Sequence, residues 1–185
     1  MNTRAARIRL TPILAIVALL AACTSVTTTT ASAGPAVPVA AGPGERLGAL
    51  PGVEGFSYRA EDGAVPGFLA GANETLDGAA EISIVQAAVA TRGSDEVSLI
   101  AFGFPGAPDA AAVDYFARVL DGMEDGFGAG SQRGLGGGAY ILSGERQTAV
   151  LGPWGRSNDE LVFLFALGPP GITEQLAAAI LGLEV

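Results

Sequence analysis

The side chains able to do chemistry are few, and the gaps among them are informative. Histidine and lysine are absent from the 185 residues, so all ten basic side chains are arginine. Without imidazole there is no Ser-His-Asp or Cys-His nucleophile system and no histidine metal ligand. Without lysine there is no Schiff-base amine and no phosphate-loop lysine. Cys23 is the only thiol, so the chain closes no disulfide on itself and builds no cysteine-based zinc site. Carboxylate and hydroxyl chemistry remain. Asp95-Glu96 and Asp159-Glu160 are the acidic pairs that a carboxylate hydrolase would set across a cleft. Both sit at expected hairpin turns, where acids are ordinarily just solvated.

Three further stretches invite a functional reading. Gly134-Leu-Gly136-Gly-Gly-Ala139 matches the glycine pattern of a dinucleotide loop. That loop must follow a strand and open a helix, so that the helix N-terminus meets the pyrophosphate. Here a strand is expected next, so no nucleotide cofactor is assigned. Asp121-Gly-Met-Glu124-Asp125-Gly126 is acidic but lacks the alternating oxygens of a calcium loop, and reads as a solvated helix end. Trp154, the only tryptophan, lies in Gly152-Pro153-Trp154-Gly155. Rigid and tiny neighbours around a large ring leave two readings open: a displayed recognition residue, or a ring folded back as a cap on the core.

The N-terminus carries the most specific signal. Arg4, Arg7 and Arg9 form a basic region without acids, and an apolar run follows from Thr11 to Ala22. The run is short for crossing about 30 Å of hydrocarbon and has the build of a secretory leader. It ends in Leu20-Ala21-Ala22-Cys23. These residues resemble the lipobox of bacterial lipoproteins. The resemblance implies a diacylglyceryl group on the Cys23 sulfur, removal of 1–22 as a signal peptide, and attachment to a membrane on the extracytoplasmic side. It covers the leader only. A diacyl anchor meets the requirement of two chains for stable attachment. Loss of 1–22 removes three of the ten arginines and no acid, leaving seven against nineteen and a net charge of −12. Nucleic acid and anionic bilayers would both repel such a chain, and it has no basic stripe with interleaved aromatics.

Positioning these residues requires a tether and one domain. Residues 24–50, rich in Thr, Ala, Gly and Pro, carry no apolar period and are expected to hold the domain away from the membrane. From 51 to 185 the pattern becomes globular. Strands are predicted at Phe56–Arg59, Glu81–Thr91, Val97–Phe104, Ala139–Leu142, Gln147–Leu151 and Leu161–Leu167. The last is continuously apolar, which suits a central strand covered on both faces. Phe163 and Phe165 should then face one way and Leu164 the other. Asp125–Gly138 is expected to be loop. A helix is predicted after the N-cap candidate Asp109, with Val113, Phe116, Ala117, Leu120 and Met123 on its apolar face. A second follows Gly171, with Ile172, Leu176, Ala179, Ile180 and Leu183 inward.

Arg92, Asp95, Glu96 and Pro105 recur 64 residues later as Arg156, Asp159, Glu160 and Pro169, which suggests two β-β-α halves. Strands and helices come in blocks, so the fold class is α+β: a mainly antiparallel sheet of five to six strands with two helices. The element order is similar to that of small α+β envelope lipoproteins, including PsbP-like domains, an architectural likeness without shared site residues. The expected function is a non-enzymatic binding or interaction module of the cell envelope, with an unidentified protein or ligand as partner. A carrier of an apolar ligand and a carboxylate hydrolase are the alternatives. No cofactor or metal is expected.

Overall fold

A computed structural model describes residues 50–61, 63–127 and 132–183. The leader, Cys23 and the tether up to residue 49 lie outside the described residues. The described residues form one antiparallel sheet of seven strands with three helices. In chain order these are β1 (Ser57–Ala60), α1 (Ala64–Leu76), β2 (Ser83–Arg92), β3 (Asp95–Gly103), α2 (Asp109–Phe127), β4 (Gln132–Gly136), β5 (Ala139–Ser143), β6 (Thr148–Ser157), β7 (Glu160–Gly168) and α3 (Ile172–Leu181). The spatial order is β1-β2-β3-β7-β6-β5-β4. The expected α+β class holds, with one more strand and one more helix than the sequence pattern indicated.

Alternation along the strands explains the layers. Phe163, Phe165 and Leu167 of β7 join Ile100 and Phe102 of β3 in a core capped by α1 and α2. Val162, Leu164 and Ala166 join Leu99 and Ala101 in a second core, on the opposite face, capped by α3. The continuous apolar run of β7 is thus the central strand, flanked by β3 and β6 and buried on both sides. The first core is aromatic: Phe116 stacks on Phe163 at 4.5 Å, and Phe102 lies 5.8 Å from Phe163.

Several boundaries differ from the sequence expectation, each for a physical reason. Helix α1 lies where the sequence pattern predicts none, because Pro66, Gly67 and Gly71 lower its intrinsic propensity. Pro66 falls in the first turn, where its missing N–H costs nothing. The Glu61 carboxylate accepts hydrogen bonds from the Gly63 and Ala64 N–H groups, at 2.6 and 2.9 Å, and Phe68, Ala72 and Leu76 supply a buried stripe. In α2 the inward stripe is Ala112, Phe116, Val119 and Leu120, while Val113 is 51 % exposed. Phe116 on Phe163 fixes the rotation, so the smaller Ala112 meets the core. In α3, Ala177 and Ala178 are buried and Ala179 is exposed.

The stretch expected as loop contributes the end of α2 and the edge strand β4, which reaches β5 through Gly137 and Gly138, at φ 58° and 79°. Strand β6 runs past Leu151 to Ser157, because a bulge between Pro153 and Gly155 absorbs the proline. Leu50, placed in the tether by composition, is buried, and its N–H donates to the Gln86 side chain at 3.0 Å. The structured domain therefore includes it.

Candidate functional site

The predicted carboxylate pairs are not brought together. Glu96 lies beside the C-terminal end of β7: a Cβ on Gly168 would sit 2.7 Å from its carbonyl oxygen. Glu160 begins the same strand. Eight residues of strand separate the two positions, roughly 26 Å at about 3.3 Å per residue. Glycosidase carboxyls work at about 5–9.5 Å. Glu96 instead pairs with Arg59 at 3.3 Å on the surface.

The other stretches take structural places. Gly134 and Gly136 belong to β4, and the chain turns straight into β5, so no helix N-terminus follows the glycine pattern. Asp121, Glu124 and Asp125 lie on the last turns of α2. Among the described residues no group of three or more acids, histidines or cysteines is placed to hold a metal ion.

Trp154 lies within β6 rather than at a turn and is 6 % exposed. It occupies the bulge position opposite the Phe163–Val162 step of β7 and belongs to the core beneath α3. Its indole Nε1 has no hydrogen-bond partner among the described residues. An unpaired buried donor of this kind ordinarily costs about 1–3 kcal/mol.

A groove lies where β3 leaves the sheet, with Val162, which flanks the Trp154 bulge in the register, in its lining. Ser83, Gly103 and Val162 are aligned across β2, β3 and β7 by register. Together with Val85 they form the floor and one wall of a groove of about 300 Å³. The β6–β7 hairpin makes the opposite wall with Ser157, Asn158 and Glu160. Asn158 and Asp159 both have left-handed backbones, φ 50° and 66°, as a two-residue type I′ hairpin requires and as Asn and Asp tolerate best. The Glu160 carboxylate is held in place by the Gly106 N–H at 2.7 Å. Arg156 points away from the groove, donating to the Asp109 side chain and the Asp159 carbonyl. Among the described residues no basic side chain lines the groove. Sequence reasoning found the hairpin but not the groove, because Ser83 and Gly103 join it only through the sheet register, which leaves no local mark.

On the same face, Tyr58 donates to the Pro51 carbonyl at 3.2 Å. Burial pushes its phenol above the usual value of 10, partly offset by a hydrogen bond with the Val53 backbone. Arg92 stacks over Phe56, 5.0 Å from the ring centre, and donates to Gln175 of α3 at 3.3 Å. These contacts fasten residues 50–58 beside α3.

Comparison with known protein families, curated proteins and solved structures gives no match. The reading of function therefore rests on the residues themselves.

Proposed function

We propose that this chain is a bacterial envelope lipoprotein: lipid-anchored through Cys23 on the extracytoplasmic side, tethered by residues 24–49, and presenting its α+β domain as a non-enzymatic binding module. The observation that carries the reading is the order of the leader, with Arg4, Arg7 and Arg9, the apolar run, then Leu20-Ala21-Ala22-Cys23. A single free thiol in a secreted chain needs a role, and acylation supplies one. With a mature charge of −12, lipid rather than electrostatics must hold the protein to an anionic membrane. No helix among the described residues is long and apolar enough to cross a membrane.

The domain's interior favours binding over the two alternatives. A lipid carrier needs space between sheet and helices. Here Phe102, Phe104 and Phe163 are each fully buried or nearly so and pack ring against ring. A hydrolase needs facing carboxylates, and the acidic pairs lie at opposite ends of the sheet.

Metabolic labelling with an alkyne fatty acid tests the anchor. The wild-type chain should incorporate label and sediment with the envelope. Cys23→Ala should lose the label and leave the membrane fraction. Label retained by the variant would overturn the assignment.

A further inference from the structure

We infer that the groove between the start of β2 and the β6–β7 hairpin is a saccharide subsite, taking a neutral polyhydroxylated ligand of one or two rings. The inference deepens the reading of the domain as a binding module and rests on it.

The chemistry of the lining selects the ligand. Glu160, Asn158, Ser157 and Ser83 converge from two sides. A carboxylate beside an amide and hydroxyls matches vicinal hydroxyl groups, since each ligand O–H can both donate and accept. Glu160 is already oriented by the Gly106 N–H on its Oε1, and since a carboxylate has about four acceptor sites, one such bond leaves capacity for ligand donors. Pre-orientation of this kind reduces the ordering cost of binding. The lining is mainly polar, and Val85, 38 % exposed, gives the C–H edge of a sugar ring an apolar side chain to rest on. Gly103 lets β3 lie close against β7 at this end of the groove, since a Cβ there would approach the Leu161 carbonyl to 3.0 Å. The absence of Arg from the lining, together with Glu160, disfavours an anionic ligand. The volume, about 300 Å³, is at the small end of ligand pockets, so the expected affinity is millimolar.

The test is an NMR titration of the full chain in detergent micelles with methyl β-glucoside, N-acetylglucosamine and cellobiose, with glucuronate as the anionic control. At least one neutral sugar should shift the Ser83, Ser157 and Asn158 amides saturably, with half-saturation at roughly 1–10 mM. Glucuronate should bind several-fold more weakly. Glu160→Gln should weaken binding about tenfold, the effect of losing a charge-assisted hydrogen bond. Ser83→Ala, on the other wall and outside the hairpin, should weaken it several-fold and serves if Glu160→Gln perturbs the fold. No saturable shift with any neutral sugar up to about 100 mM overturns the proposal. So does equal binding of glucuronate, or unchanged binding in both variants. Repeating the titration with Cys23→Ala separates the two readings: groove binding is expected to survive loss of the anchor, and a failed groove leaves the labelling result untouched.

Discussion

Phe163→Ala offers the most demanding test of how this sheet is held together. Phe163 is 2 % exposed at the centre of β7. Its ring stacks on Phe116 of α2 at 4.5 Å and 9° between planes, and lies 5.8 Å from both Phe102 and Phe104. Truncation removes the ring from three neighbours at once and leaves a cavity between sheet and helix. Buried Phe→Ala changes cost about 3–5 kcal/mol. This site belongs at the upper end, because three other aromatic rings frame it and none can collapse inward without leaving its own contacts. Against a domain stability of about 5–15 kcal/mol, the loss is a third or more. For a domain of this size each kcal/mol is worth about 3–5 °C, so the melting midpoint should fall by roughly 12–20 °C.

Thermal and urea denaturation followed by circular dichroism provide the assay, with an unchanged urea slope as the sign that only stability has moved. A double-mutant cycle with Phe116→Ala then isolates the stacked pair, for which a coupling of about 0.5–1.5 kcal/mol is expected. Phe163→Leu, which refills much of the space, should recover more than half of the loss. A midpoint within 3 °C of wild type for Phe163→Ala would refute the layered packing itself, since no central strand covered on both faces tolerates that deletion.

Other consequences are equally direct. Trp154→Ala should cost about 3–5 kcal/mol, whereas Trp154→Phe should cost much less, because it keeps a ring and removes the unpaired N–H; urea midpoints compare the two, and iodide should quench the wild-type indole poorly. Gly122 lets α1 and α2 approach closely, since a Cβ there would run into the Thr75 side chain; Gly122→Val should lose about 1–3 kcal/mol, and Thr75→Ala in the same chain should restore part of it. The raised phenol of Tyr58 contributes stability that is present below pH 10 and lost as pH rises through its folded-state value. Unfolding midpoints between pH 9 and 12 should fall more steeply for wild type than for Tyr58→Phe, and identical profiles would remove Tyr58 as the cause.

The elements legible in the sequence were those whose own residues satisfy them. Strand β7 carries enough apolar side chains for two faces, and both hairpin turns carry their Gly, Asn and Asp. The missing elements depend on distant partners. Helix α1 needs Glu61 as a side-chain cap and the sheet as a floor, neither of which its glycines advertise. Strand β4 exists because β5 lies beside it. Gly152, Pro153 and Gly155 resemble a turn and leave display and core cap both open for Trp154, yet within the sheet those residues make a bulge, and the ring is buried as a cap on the core. The groove was the least legible of all, for it is the product of register across three strands.

The recurrence at an interval of 64 is decided by which face each residue occupies. The two hairpins stand in the order β2-β3-β7-β6, with β3 antiparallel to β7. A rotation that exchanges them must be a two-fold axis normal to the sheet, and such an axis keeps each face in place. It would set both following helices on one side. Instead α2 covers the phenylalanine face and α3 the other. Parity gives the same result. In β3 the odd-numbered Leu99 and Ala101 face α3, whereas in β7 the even-numbered Val162 and Leu164 do, so an even interval carries each residue to the opposite face. The two arginines follow suit, since Arg92 reaches Gln175 on α3 and Arg156 reaches Asp109 on α2. Each ties its hairpin to the helix that follows the other one. The shared residues therefore report a shared local task, an arginine before a tight turn and acids after it, and the two halves are not copies related by a rotation of the whole β-β-α unit.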